Sequence, residues 1–180
     1  MTFLSEVVSL LSDNGVPHAM IGATALAALG ASRSTQDIDL LTTDRSVLSR
    51  AFWSPLEAAG AEVDVREGDM DDPLAGVVRL TRTDSRPVDV IVGFALWQDL
   101  VIADAYPVHV GDIEVRVVDA VGLILLKLFA GGPQDLWDVE QVLAIASDRD
   151  SLVAQVAQRI RDLPAPSRRL WRRIAVRGEP

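Results

Sequence analysis

The sequence predicts an α/β fold of the α+β kind: a small mixed β-sheet flanked by helices, then a helical C-terminal part. Three observations carry this. Short runs with a period of two, such as "AEVDVRE", "GVVRLTR" and "PVDVIVG", read as strands. They are interleaved with, and then followed by, segments whose apolar residues recur at helical spacing. Apolar residues make up 49% of the 180-residue chain, which is enough for a core and too many for a disordered polymer.

The elements follow in order. Phe3, Val7, Leu10 and Leu11 lie at helical spacing over 3–13, and Asn14-Gly15 closes that helix. "HAMIG" is a short strand ending at Gly22, and "ATALAALG" an alanine-rich helix ending at Gly30. "DIDLLT" is a strand. Asp44 is placed to cap a helix over 45–59 that stops at Gly60. "AEVDVRE" is the next strand and "GDMDDP" a loop. "GVVRLTR" and "PVDVIVG" are two strands joined by the hairpin signal "TDSR". A helix over 94–104 precedes a hairpin in "YPVHVGDIEVRVVD" that turns at Gly111-Asp112. "AVGLILLKLFA" is a strongly apolar helix within 119–130, and "GGPQDLWDVEQVLAIA" restarts as another, with Pro133 near its first turn. Two further helices, 150–162 and 165–175, are parted by "LPAP". The expected division is an α/β core over 1–118 and a helical part over 119–180, packed as one unit.

Composition narrows the chemistry. There are no cysteines, which excludes disulfides and thiolate metal sites. The two histidines, His18 and His109, are too few for a histidine-built zinc site and are expected to be structural. No apolar run approaches the roughly 20 residues that span a bilayer. The opening "MTFLSEVVSLLSDNG" carries Glu6 and Asp13 without a basic leader and reads as an amphipathic helix, so a soluble, cytoplasmic protein is expected. The net charge is −9, yet Arg159, Arg161, Arg168, Arg169, Arg172, Arg173 and Arg177 crowd the C-terminus. An acidic body disfavours broad nucleic-acid binding, while a local basic stripe remains a docking site for RNA phosphates. The four tryptophans, Trp53, Trp97, Trp137 and Trp171, are expected in the core or at an interface.

The most informative stretch is "RSTQDIDLL". Asp37 and Asp39 stand two residues apart in an apolar run, so on a strand both carboxylates leave one face. Like charges so placed repel, and a hard cation relieves the repulsion. Such sites add a third acid from a neighbouring strand. Asp89, between Val88 and Val90, supplies it, with Asp64 a weaker candidate. "IGATA" offers Gly22 for close approach of the backbone, Thr24 as a hydroxyl and the start of a helix, which together suit phosphate.

A small-residue turn, a short helix, an Asp-x-Asp pair and a distant strand aspartate together resemble the nucleotidyltransferase superfamily with the DNA polymerase β-like fold. "IGATALAALGASRSTQDIDLL" and "LLKLFAGGPQDLWDVEQVL" are similar to blocks of its AbiEii-type toxin nucleotidyltransferases and their uncharacterised relatives. The likeness covers 20–42, 86–93 and 119–143, in the same order. It implies a nucleotidyltransferase-like mixed sheet, one or two Mg²⁺ ions and a nucleoside triphosphate as substrate. A nucleoside monophosphate would move to an RNA, such as a tRNA end, or to a protein. The implied setting is toxin–antitoxin or phage defence, with a cognate antitoxin or toxin protein as partner.

Site roles follow from the same resemblance. Gly22, Ala23 and Thr24 would form the triphosphate turn. Asp37, Asp39 and Asp89 would hold the metal, and Asp89 would help to activate the acceptor. Lys127 would face the nucleotide phosphates or orient an acid. Asp135 would hold the site from the following helix, with Asp138 one turn on. Arg33 and Thr35 would contact phosphate. Two departures stand out: Ala23 replaces a Gly or Ser, and Gly132 stands where relatives often carry Arg. They are the support for an alternative, a non-catalytic nucleotide- or partner-binding module on the same fold. Lys127 also suits a snorkelling lysine, and Asp135 an acid favoured by the helix dipole.

Overall fold

Alternating burial builds the sheet. In Gly76–Thr81 and Val88–Val92 every second residue is buried, and the residues between them are half-buried. A computed structural model describes residues 2–31, 36–110 and 113–176. Its elements are α1 (Phe3–Asp13), β1 (His18–Met20), α2 (Gly22–Ala28), β2 (Ile38–Thr42), α3 (Ser54–Ala58), β3 (Glu62–Glu67), β4 (Gly76–Thr81) and β5 (Val88–Val92). They continue with α4 (Leu96–Ala103), β6 (Tyr106–Val110), β7 (Ile113–Val117), α5 (Ala120–Ala130), α6 (Pro133–Ile145), α7 (Arg149–Arg159) and α8 (Ala165–Val176). Among the described residues seven strands form one sheet in the order β3-β4-β5-β2-β1-β7-β6. The β2–β5 and β1–β7 pairs are parallel and the others antiparallel, so the sheet is mixed as expected.

β2 sits at the centre and is the most enclosed strand. Ile38, Leu40, Leu41 and Thr42 are buried, and Asp39 alone is half-buried. The core spreads from these residues over both faces of the sheet. It takes in Val7 and Leu11 of α1, Trp53, and Leu123, Ile124, Leu125 and Leu128 of α5. At roughly 25 cal/mol per Å² of apolar surface, each such side chain contributes about 1.5–3 kcal/mol. Trp53, Trp97 and Trp171 belong to this core, while Trp137 of α6 is exposed. No helix of the described residues is long and apolar enough to cross a membrane.

One expected element is replaced. Residues 45–59 do not form a continuous helix. Two 3-10 turns, Arg45–Leu48 and Arg50–Trp53, precede the short α3. Ser49 is extended between the turns (φ −76°, ψ 121°), and Pro55 cannot sit inside a helix, so it opens a new one. Asp44 still caps the segment, accepting from the Ser46 N–H at 2.8 Å. The break between α5 and α6 falls at Gly131, whose left-handed φ of 71° ends α5 and folds α6 back on it. The expected turn at Gly111-Asp112 lies outside the described residues, as do Arg33, Thr35, Arg177 and Glu179.

Candidate active site

Strand register gathers the acids. Asp39 of β2 and Asp89 of β5 are direct partners in the parallel pair. Parallel neighbours lie about 4.8 Å apart, so the two carboxylates leave one face side by side. Asp37 precedes β2 by one residue. Its backbone is pinned by Arg86, which donates to the carbonyls of Gln36 at 3.3 Å and Asp37 at 3.1 Å. Ile38 is tied to the other strand by its N–H to the Pro87 carbonyl at 2.9 Å.

Gly22, the first residue of α2, closes the site. Its φ is +64°, where L side chains are strained, and a Cβ there would collide with the Asp39 carboxylate. The Ile21 N–H donates to the Asp39 carbonyl at 2.9 Å. The turn into α2 is thus packed on Asp39 from backbone and side chain alike. Thr24 is half-buried beside it. Ala23 is buried at 2% exposure, with its methyl in the interior. The expected loss of a hydroxyl at Ala23 therefore concerns a core position.

A cation lies among these acids that sequence reasoning missed. Arg79 of β4 is the cross-strand partner of Asp89. Its guanidinium donates to Asp89 Oδ2 at 2.8 Å and to Asp37 Oδ1 at 3.2 Å. Arg79 and Asp37 are more than a third exposed, so the ion pairs are worth little as stability. Asp89 is different. Its side chain is 16% exposed, and burial lifts its carboxyl above the usual range against the pull of Arg79. Asp37 adds to the rise and Arg66 opposes it. Asp89 Oδ1 is buried without a hydrogen-bond partner among the described residues. Asp64, the weaker candidate, faces Arg79 from β3 and pairs with Arg66 at 2.7 Å.

The donor set suits a hard divalent cation: every candidate ligand atom is a carboxylate oxygen, and one is buried and unsatisfied. Among the described residues, however, no three such side chains are already drawn together at metal-holding distance. The expected convergence of Asp37, Asp39 and Asp89 on one metal is therefore not seen in this structure. Arg79 bridges Asp37 and Asp89 and supplies the positive charge that their proximity demands.

The helix block makes a second charged group. Lys127 of α5 pairs with Asp135 at 2.9 Å and with Asp138 at 2.8 Å, both on α6. Lys127 is 9% exposed and Asp138 is fully buried. Burial alone would lower the Lys127 pKa, yet the hydrogen bonds that Lys127 donates to Asp138 and Asp135 outweigh it and the net shift is upward. Asp135 also accepts the Gly132 N–H at 3.1 Å and so caps α6. Gln134 lies 3.4 Å from Asp138 Oδ1. His18 is fixed by the Val16 carbonyl at 2.8 Å, and burial lowers its pKa; His109 is exposed on β6.

With this geometry in view, the chain is similar in fold to solved nucleotidyltransferases. One is the lincomycin-bound lincosamide antibiotic adenylyltransferase LnuA, at 12% identity and a TM-score of 0.51, covering 79% of this chain and 96% of that one. Another is ANT(2")-Ia in complex with adenylyl-2"-tobramycin, at 16% identity and a TM-score of 0.53, covering 98% and 97%. A third is an antigenic nucleotidyltransferase-like protein from Paracoccidioides brasiliensis, at 15% identity and a TM-score of 0.52, covering 91% and 89%. No curated protein sequence matches. A family model described as "Nucleotidyl transferase of unknown function (DUF2204)" matches residues 1–174, so the chain belongs to this nucleotidyltransferase family.

Proposed function

We propose that this nucleotidyltransferase moves a nucleoside monophosphate from a nucleoside triphosphate to an acceptor hydroxyl, with Mg²⁺ as cofactor. The observation that carries the reading is the in-register Asp39–Asp89 pair, packed on Gly22, with a buried and unsatisfied oxygen on Asp89. Asp37, Asp39 and Asp89 would hold the metal, which when bound supplies charge stabilisation to the transferring phosphoryl group. The turn at Gly22, Ala23 and Thr24 admits the triphosphate through its backbone and the Thr24 hydroxyl. Arg33 and Thr35 are assigned to the phosphates by resemblance.

The acceptor oxygen attacks the α-phosphorus, the bond to the pyrophosphate oxygen breaks, and pyrophosphate leaves. The Asp89 carboxylate takes the acceptor's proton, the role that the resemblance assigns to it. Lys127 and Asp135 are read as positioning residues that fix α6 against α5, because each already engages the other.

The acceptor we favour is RNA. Arg169, Arg172 and Arg173 are exposed on α8, with Arg168 half-buried beside them, and a basic stripe of this kind suits a phosphate backbone. A role in a toxin–antitoxin or phage-defence pair, with a cognate protein partner, belongs to the same reading. A second reading, transfer to a small hydroxyl-bearing molecule, is favoured by the net charge of −9 and by the likeness to adenylyltransferases holding lincomycin and adenylyl-2"-tobramycin.

The test is incubation with Mg²⁺ and each α-labelled nucleoside triphosphate, with total RNA, cell protein or a small-molecule extract, against Asp37→Ala/Asp39→Ala. Label on one acceptor class, lost in the double variant, is the expected result. Nucleotide binding without transfer under every condition would instead favour the non-catalytic module.

A further inference from the structure

Arg79 is the one site feature that the proposed chemistry leaves without a task. It lies in register with acids on both sides, Asp89 of β5 and Asp64 of β3. It also reaches across to Asp37, which is 42 residues away in the chain. A single guanidinium therefore binds one oxygen of each of two carboxylates that would otherwise repel. The other oxygen of Asp89 is left buried and unsatisfied.

We propose that Arg79 is a built-in counter-ion that competes with the divalent cation for Asp37 and Asp89. This rests on the reading of those acids as metal ligands. A guanidinium and a divalent cation cannot both sit between the same oxygens. A metal that enters between Asp37 Oδ1 and Asp89 Oδ2 therefore requires Arg79 to release both. Asp64 lies directly opposite the released side chain on β3, more than half exposed, and would have to be shared with Arg66, which already pairs with it at 2.7 Å. The exchange needs only side-chain rotation on a fixed sheet. Before it, the acids are held ordered and partly neutralised; after it, the cation takes their charge. Arg79 acts through the acids, so it is a positioning residue, and its effect falls on metal affinity.

The experiment is Mn²⁺ titration of the full chain without nucleotide, read as loss of the free-ion electron paramagnetic resonance signal. The proteins are wild type, Arg79→Met, Arg79→Lys and Asp89→Asn, each checked for wild-type circular dichroism. Arg79→Met is expected to bind Mn²⁺ about tenfold more tightly than wild type, a usual size for coupling between two competing ligands. Arg79→Lys cannot fork across both acids at once and should fall between the two. Should Arg79→Met not fold, Arg79→Lys carries the test alone. Equal or weaker Mn²⁺ binding in both folded arginine variants would overturn the proposal while leaving the metal site standing. No Mn²⁺ uptake by any protein would remove the metal site, and the competition with it. Uptake unchanged in Asp89→Asn would place the ion elsewhere and would also overturn it.

Discussion

The chain contains two groups of aspartates gathered around a single cation, and they differ in what is left over. Around Lys127 the ammonium bonds Asp135 and Asp138 of α6, and both of its short contacts are ion pairs with a carboxylate. Around Arg79 the accounts stay open. Asp37 and Arg79 meet solvent, and Asp89 keeps a buried oxygen without a partner. A buried ion group of this kind holds helices together. An unsatisfied one beside a glycine turn is costly to the fold and available to chemistry. Partner count and exposure, more than residue type, separate the two.

The comparison can be broken most severely at Lys127. Lys127→Met leaves Asp138 charged, buried and without its cation, at a cost of about 3–5 kcal/mol. Urea denaturation should show this as a lower midpoint, and transfer per folded molecule should persist. Asp39→Ala should do the opposite, lowering nucleotidyl transfer by about 10²–10³-fold, the scale of one lost preorganised electrostatic contact, with little change in the melt. Gly22→Ala pushes on the Asp39 carboxylate and should cost transfer about 10²-fold, since displacing a reacting group by an ångström is enough for that. It should also lower the melting temperature, because alanine is strained at a φ of +64°.

The smallest effects are pH dependences of opposite origin. Lys127 titrates higher in the fold than its ordinary 10.5, so its stabilisation is full below that value and is lost as pH rises through the raised one. Asp89 is also raised in the fold, from 3.8, so its charge costs stability above the raised value and that cost vanishes below 3.8. Asp89→Asn should therefore melt slightly higher than wild type at neutral pH while losing transfer. Melting curves across pH for wild type, Lys127→Met and Asp89→Asn check both signs.

How much of this was legible in the sequence depends on the range of the interaction. Asp39 and Asp89 could be read because their apolar flanks mark them as strand residues, which the strands bring to one face, whereas Asp37, expected on the strand, lies one residue before it. The hairpin "GVVRLTR-TDSR-PVDVIVG" was legible too. Arg79 was not drawn from it, although a signal was present: Arg79 and Asp89 stand equally far from Asp84, the turn residue with a φ of 59°. Counting outward from that turn pairs them. The link to Asp37 depends on β5 lying beside β2, which no local pattern reports. Lys127 was placed on its helix, but its partners come from the next one, folded back at Gly131. The helix expected over 45–59 failed on two residues, Ser49 and Pro55, whose breaking effect outweighed the apolar spacing.

The central claim is that the strand acids bind the substrate's metal and that the helix acids bind only the fold. The measurement that tests it most directly is Mg²⁺-dependent binding of a nucleoside triphosphate by wild type, Asp39→Ala and Lys127→Met, at a temperature where all three are folded. The account predicts that Asp39→Ala loses the Mg²⁺-dependent part of binding with an unchanged melt, while Lys127→Met keeps it and melts lower. Wild-type binding by Asp39→Ala, or its loss in folded Lys127→Met, would contradict it.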